Sequence, residues 1–248
     1  MAKDQLASTR DPFPRVFWTA NLIELLERFA YYGIYFTLGI YLDQLGFSRD
    51  QLGWVQSAVL AVSYMVPIVS GTFADRLGFK KILILSYLTY LPAILMLIVA
   101  ESFSAIALTM LTIALAAGTF KPLISGTIRA VTSGNNKTLG FGIFYAMVNV
   151  GGSLGPIVAG KLRVLGWQHV FTAAAVSIVL MLLVTIFWYE EPEREPSDAT
   201  LGDKLKEIGE VLADLKFSAF LVLLGLLFWL PFWCFFNLCA LYVDSDVD

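Results

Sequence analysis

Seven apolar runs fill most of this chain, at about residues 17–42, 52–74, 82–100, 104–128, 139–160, 170–189 and 217–241. Each approaches or exceeds the roughly 20 residues a helix needs to cross a bilayer. They are continuously apolar rather than alternating, which argues against barrel strands. Turns containing Gly, Asp or Ser separate most of them, among them QLGFSRD, DRLGFKK and TSGNNK. Only 15% of the 248 residues are charged and the mean hydropathy is +0.73. That apolar excess is too large for one soluble core, so the chain reads as an all-α integral membrane protein. A net charge of −3 offers no basic field to nucleic acid. The first 15 residues are polar and the first apolar run is too long for a signal peptide, so it reads as a retained span. Cys234 and Cys239 lie five apart on one expected helix and face different ways, which disfavours a disulfide.

Basic residues set the expected orientation. With the N-terminus in the cytoplasm, Lys3, Arg10, Arg15, Arg76, Lys80, Lys81, Arg129, Lys137, Arg194, Lys204, Lys206 and Lys216 lie inside. Only Arg49, Lys161 and Arg163 lie outside. Residues 1–190 form an expected six-helix bundle, 191–216 a cytoplasmic linker, and 217–248 a seventh span whose C-terminus lies outside. The linker begins with the charged, Pro-containing EEPEREPSD. Leu201, Leu205, Ile208, Leu212 and Leu215 then recur at helical spacing, which predicts an amphipathic helix. Thr200 and Asp203 are placed to cap it.

Four ionisable side chains remain inside spans: Glu24, Glu27, Arg28 and Lys121. Each costs roughly 2.5–3.5 kcal/mol on insertion scales if it faces lipid at mid-membrane. They should therefore face the bundle interior and pair, and their charges sum to zero. At 100° per residue Glu24, Glu27, Arg28, Tyr31 and Tyr35 fall on one stripe of the first span, with Tyr32 at its edge. Glu24 and Arg28 are an i,i+4 pair. Lys121, in GTFKP of the fourth span, has only Glu24 and Glu27 as span carboxylates, and a Glu–Lys pair broken by protonation would make a proton-coupled switch. Pro122 predicts a local bend. Gly151, Gly152 and Gly155 of the fifth span permit close helix approach. Asn149 is a polar group at membrane depth, read equally as a helix–helix hydrogen bond or a substrate contact.

GTFADRLGFKK resembles the loop between the second and third helices of the major facilitator superfamily, through Gly71, Asp75, Arg76, Gly78, Lys80 and Lys81. ELLERFAYYG, GTFKP and FYAMVNVGGSL resemble first-, fourth- and fifth-helix motifs of the proton-dependent oligopeptide transporters. The resemblance covers nearly all of residues 15–190. It implies the first six-helix bundle of the major facilitator fold, a cytoplasmic linker helix and a seventh transmembrane helix, in a multi-pass protein of the plasma membrane, the inner membrane if bacterial. It implies a proton-coupled symporter of small peptides working by alternating access, not an enzyme, with protons as coupling ion and no cofactor. Glu24, Glu27 and Arg28 match the coupling motif, with Lys121 as salt-bridge partner. Arg28 and Lys121 would also attract a substrate carboxylate. Tyr31, Tyr32 and Asn149 match peptide-pocket positions, and Tyr64 looks like another. Asp75 would pair with Arg129 in a latch that stabilises the outward-open state.

Two departures matter. Tyr35 stands where these transporters usually carry a second arginine, which removes a positive charge from the pocket and leaves a non-peptide solute as an alternative to a di- or tripeptide. The superfamily has two six-helix halves with the substrate between them. This chain ends after the seventh span, so it is expected to be C-terminally truncated, with the second bundle supplied in cis. A non-transporting membrane module is the remaining alternative. His169, Trp18, Trp54, Trp167 and Trp188 fall near span ends and read as interfacial. The Asn136-Lys137-Thr138 sequon falls in a cytoplasmic loop and reads as a chance match. No metal-ligand cluster, P-loop or nucleophile motif is visible.

Overall fold

The structure is a computed structural model that describes residues 12–134, 136–193 and 200–246. Lys3, Arg10 and Arg194, counted among the cytoplasmic cations, lie outside the described residues. So do part of the EEPEREPSD linker and the last two residues. The described residues form helices and no strand. In order these are α1 (Arg15–Tyr35), α2 (Leu38–Gln44), α3 (Arg49–Leu77), α4 (Phe79–Met96), α5 (Phe103–Ala130), α6 (Lys137–Leu162), α7 (Trp167–Trp188), α8 (Leu201–Ala213), α9 (Leu215–Leu224) and α10 (Leu230–Asp246). A π-helical turn, Gly225–Trp229, joins the last two.

Six stretches are long and apolar enough to cross a membrane: α3, α4, α5, α6, α7 and the run Leu215–Asp244. The other expected crossing, over α1 and α2, is the most polar of the seven. Glu24, Glu27 and Arg28 sit in the middle of its 21-residue first helix. The expected single helix over 17–42 is interrupted at Phe36 and Thr37, where the Thr37 hydroxyl donates to the Gly33 carbonyl at 2.7 Å. Such back-bonding competes with the helical ladder and bends it. In the last span the π turn lies just before Pro231, whose missing N–H and ring disturb the preceding turn. Helix α5, by contrast, continues through Pro122.

Helix α1 is the centre of the bundle, packing against α5, α6 and α7, while α3 packs on α5 and α4 on both α5 and α7. Glycines set the α1–α6 distance. A Cβ at Gly155 would overlap the Phe29 carbonyl oxygen, and one at Gly151 the Leu25 carbonyl oxygen. The expectation of close approach at these positions is met, and Gly152 faces the Tyr32 ring.

Contacts separate the two ends of the bundle. At one end Phe13 packs on Gly140, Lys80 reaches the end of α7, and Lys204 of α8 reaches Asp75 of α3. At the other, Tyr41 donates to the carbonyls of Leu97 and Ala100, and the Trp167 indole donates to Gln44. Arg163 donates to Asp244 there at 2.7 Å. Helix α10 docks near this second end, through Trp233 edge-on to Tyr35, Phe236 stacked on Phe36, and Leu241 against Gly39. Helix α9 has no buried residue. The Thr200–Asp203 capping box forms as expected on α8, also without a buried residue. Cys234 and Cys239 are free thiols.

Gly155→Ala is expected to lower stability by about 1–3 kcal/mol, because the added methyl must push two backbones apart. Gly160→Ala, whose Cβ meets nothing within 4 Å, should leave stability unchanged or raise it. Thermal unfolding of the full-length variants in one detergent checks the contrast.

Candidate functional site

The sequence places Glu24, Glu27 and Arg28 within five residues of α1, so one and a half turns bring them together. Arg28 Nε lies 3.2 Å from Glu24 Oε1, and its Nη2 contacts Glu27 Oε2. All three side chains are buried, and Glu27 has no exposed surface. A planar guanidinium with donors along two edges can serve both carboxylates at once. Its other partners are rings, with Cζ 5.6 Å from the Tyr31 ring centre and 5.5 Å from that of Tyr32.

Lys121 departs from expectation. Its Nζ makes no salt bridge to Glu24 or Glu27, and it lies over the rings of Tyr64 at 5.2 Å and Tyr31 at 5.7 Å. The reason is local geometry: Arg28 shares a helix with both carboxylates and occupies them, whereas Lys121 must reach across from α5. Cation–π contact is what remains to it. The cluster is still neutral overall, two carboxylates against two cations.

The expected pocket residues divide. Tyr31 is buried, its hydroxyl 3.5 Å from Ser63 Oγ of α3, and its ring stacks on Tyr35. Tyr32 and Tyr64 are partly or largely exposed beside the two cations. Tyr35 is buried beneath Trp233, so in this conformation it faces the seventh span. Asn149 is exposed and donates to the Tyr145 carbonyl of its own helix at 2.9 Å, so it makes no helix–helix hydrogen bond. Ser63, Tyr90 and Trp233 also belong to this neighbourhood and were not foreseen. Tyr90 of α4 interacts electrostatically with Glu27. Only its spacing from Tyr87, three residues back, could have signalled it.

The α3–α4 turn forms a second constellation. Gly78 adopts φ +98°, in the left-handed region that favours glycine. This opens the N-terminus of α4 to the Glu191 carboxylate, which accepts from the backbone N–H groups of Phe79 and Lys80 at 2.7 and 2.8 Å. A carboxylate at a helix N-terminus also meets the positive end of the helix dipole. Lys80 Nζ in turn donates to the carbonyls of Ile186 and Tyr189 at the end of α7. Arg76 and Lys81 are exposed on the same cleft, of about 760 Å³. The ion pair found on Asp75 is with Lys204 of α8, at 2.7 Å, in place of the expected Arg129. Arg129 lines a cleft of about 490 Å³ with Asp75 and Gly71. The linker helix lies across α3 and brings its lysine to Asp75 directly, which accounts for the exchange. No neighbour lies within 4 Å of a Cβ at Gly71, so packing within this bundle does not explain that glycine. Among the described residues no group of His, Cys, Asp and Glu could hold a metal.

A family model described as Major Facilitator Superfamily matches residues 20–246. Quinolone resistance protein NorA of Staphylococcus aureus (strain MSSA476) is 25% identical over 213 residues, 85% of this chain and 54% of its own length. The uncharacterized transporter YclF of Bacillus subtilis (strain 168) is 30% identical over 181 residues, 69% and 37% of the two chains. Among solved structures, peptide transporter POT in complex with sulfate superposes with a TM-score of 0.68 at 26% identity, covering 90% of this chain and 50% of that one. A POT family transporter in complex with 5-aminolevulinic acid shares the fold, with a TM-score of 0.67 at 23% identity over 85% and 47% of the two chains. The chain thus spans about half the length of most of these relatives. It belongs to the Major Facilitator Superfamily and has the fold of the N-terminal half of the POT peptide transporters.

Proposed function

We propose that this chain is the N-terminal half, with the seventh span, of a proton-coupled symporter of small peptides that works by alternating access. The observation that carries the reading is the buried Glu24–Arg28–Glu27 triad beside Lys121, a cation set over two tyrosine rings within electrostatic reach of the glutamates but in salt bridge with neither. Protonating a glutamate removes one of the two anions that occupy Arg28. The cluster then carries a net positive charge, which a substrate carboxylate at Lys121 and Arg28 would neutralise. Proton and substrate thus favour one another electrostatically. A proton moving inward gains about 2.3 kcal/mol per 100 mV of potential.

The other roles belong to the same reading. Tyr31, Tyr32, Tyr64 and Asn149 line the substrate side of the cations, and Tyr35 closes it beneath Trp233. Gly71, Asp75, Arg76, Gly78, Lys80, Lys81 and Arg129 form the conformational latch, with Lys204 as the partner of Asp75 in this state. A second bundle in cis covers the exposed faces of α9 and α10. Protons are the only coupling agent and no cofactor takes part. The membrane is the plasma membrane, with the end that carries Lys80, Arg129 and Lys204 in the cytoplasm, as the excess of basic residues there favours.

A second reading, transport of a different small solute, is favoured by Tyr35. Where a second arginine would add charge to the pocket, a buried ring stands. The superfamily relatives include a quinolone resistance protein, so substrates other than peptides fit this fold.

In the full-length protein, Glu27→Gln is expected to abolish pH-driven uptake while counterflow exchange falls far less; pH-driven uptake at the unmodified rate contradicts the coupling role. Arg28→Lys keeps the charge but loses the two-edged geometry, and uptake should fall by about tenfold or more. Competition of di- and tripeptides against labelled uptake separates the two substrate classes, since no competition by any peptide sinks the first.

A further inference from the structure

Glu27 presents no surface to solvent. Its carboxylate meets Tyr90 of α4. A proton that reaches or leaves it must pass through protein groups. Around it stand Arg28 and Glu24 of α1, Lys121 of α5 and Tyr90 of α4. The Tyr90 hydroxyl is fully buried and faces the Glu27 carboxylate as its hydrogen-bond partner. A hydroxyl that can both donate and accept, set against a buried carboxylate, is placed to pass a proton to or from it.

Further hydroxyls continue from Tyr90. Tyr87 is one turn back on the same face of α4 and is itself electrostatically coupled to Glu27 and Glu24. Thr185 of α7 donates to the Tyr87 hydroxyl at 3.4 Å. Tyr189, the extended residue that follows α7, interacts with Tyr87, and its hydroxyl is hydrogen-bonded to Thr127 of α5. All five are buried to within 1% of completely. Beside Thr127, Leu123 and Gly126 line the open cleft that holds Asp75 and Arg129. The column therefore runs from the buried carboxylate to the end of the bundle that carries Lys80 and Lys204.

We propose that Tyr90, Tyr87, Thr185, Tyr189 and Thr127 form a proton relay between Glu27 and that end of the bundle. The inference rests on the symport reading above. In each step a hydroxyl oxygen accepts a proton from one side and releases its own to the next, so only O–H bonds form and break and no oxidant or cofactor is needed; the Thr127 hydroxyl, which donates to the Leu123 carbonyl at 2.8 Å, turns to release its proton to water in the adjoining cleft. The one-turn interval on α4 and the step from Thr185 to Tyr189 are bridged by hydroxyl rotation or a single water. Simple core packing predicts no effect from removing a hydroxyl of unchanged shape beyond a loss common to all turnover modes.

The test compares Tyr90→Phe, Tyr87→Phe and the exposed control Tyr145→Phe in full-length protein reconstituted in liposomes, using a dipeptide as probe. Proton-driven uptake and counterflow are measured on the same preparations. The relay predicts that the ratio of the two falls about tenfold in the Tyr90 and Tyr87 variants and stays at the unmodified value in the control. An unchanged ratio in both variants overturns the relay alone, as does an equal fall in the control. Absence of proton-driven uptake in the unmodified protein overturns the symport reading and the relay with it.

Discussion

One arginine between two glutamates, inside an apolar bundle, is the interaction on which the rest of the structure depends. No helix carrying Glu24, Glu27 and Arg28 can face lipid without a cost of several kcal/mol. Helix α1 must therefore be central, and it packs on α5, α6 and α7. Centrality needs close neighbours, which the glycines of α6 supply by letting two backbones meet at Phe29 and Leu25. Burial then makes the pairing itself consequential: breaking a buried pair by removing one partner costs about 3–5 kcal/mol. Protonating a glutamate is a milder way of doing the same, which is why a cluster of this kind suits a coupling site.

The two ends of the bundle are fastened by different chemistry. At one end charge does the work: Glu191 caps α4, Lys80 takes the carbonyls that end α7, and Lys204 pairs with Asp75. At the other, aromatic packing dominates, through Tyr35 with Trp233 and Phe36 with Phe236, alongside Arg163 with Asp244. Among the described residues the seventh span meets the first bundle near this second end and at Trp233, which faces Tyr35 and Tyr64. Ion pairs at partly exposed positions are weak and exchangeable, so the charged end is the easier one to reopen. The proposed alternating access would use this asymmetry, with Asp75 exchanging partners between Lys204 and Arg129.

Much of the architecture was legible because the bilayer imposes simple rules. Apolar length gave the spans, and helical periodicity put Glu24, Glu27, Arg28, Tyr31 and Tyr35 on one stripe, all of which are buried. Tyr32, placed at its edge, is half-buried. What escaped were pairings across helices. Periodicity fixes a face, not a neighbour: it brings Lys121 into reach of the carboxylates but does not tell that Arg28 makes the close ion pairs with both. Asp75 was matched to Arg129 while Lys204 arrives from a linker helix whose position no pattern announces. Glu191 looked like part of a solvated linker, and its role appears only once Gly78 has opened the end of α4. Tyr90 and Trp233 sat unnoticed in apolar runs where an aromatic residue carries no special signal. Local breaks were equally hidden, since Thr37 and Pro231 act through the specific carbonyls they bond or displace.

The most direct measurement of the central claim is the internal pH of proteoliposomes containing the full-length protein when a dipeptide is added outside under an inward proton gradient. The account predicts internal acidification that depends on the dipeptide and saturates with it. Dipeptide entry with no change in internal pH, or acidification of the same size without dipeptide, would contradict it.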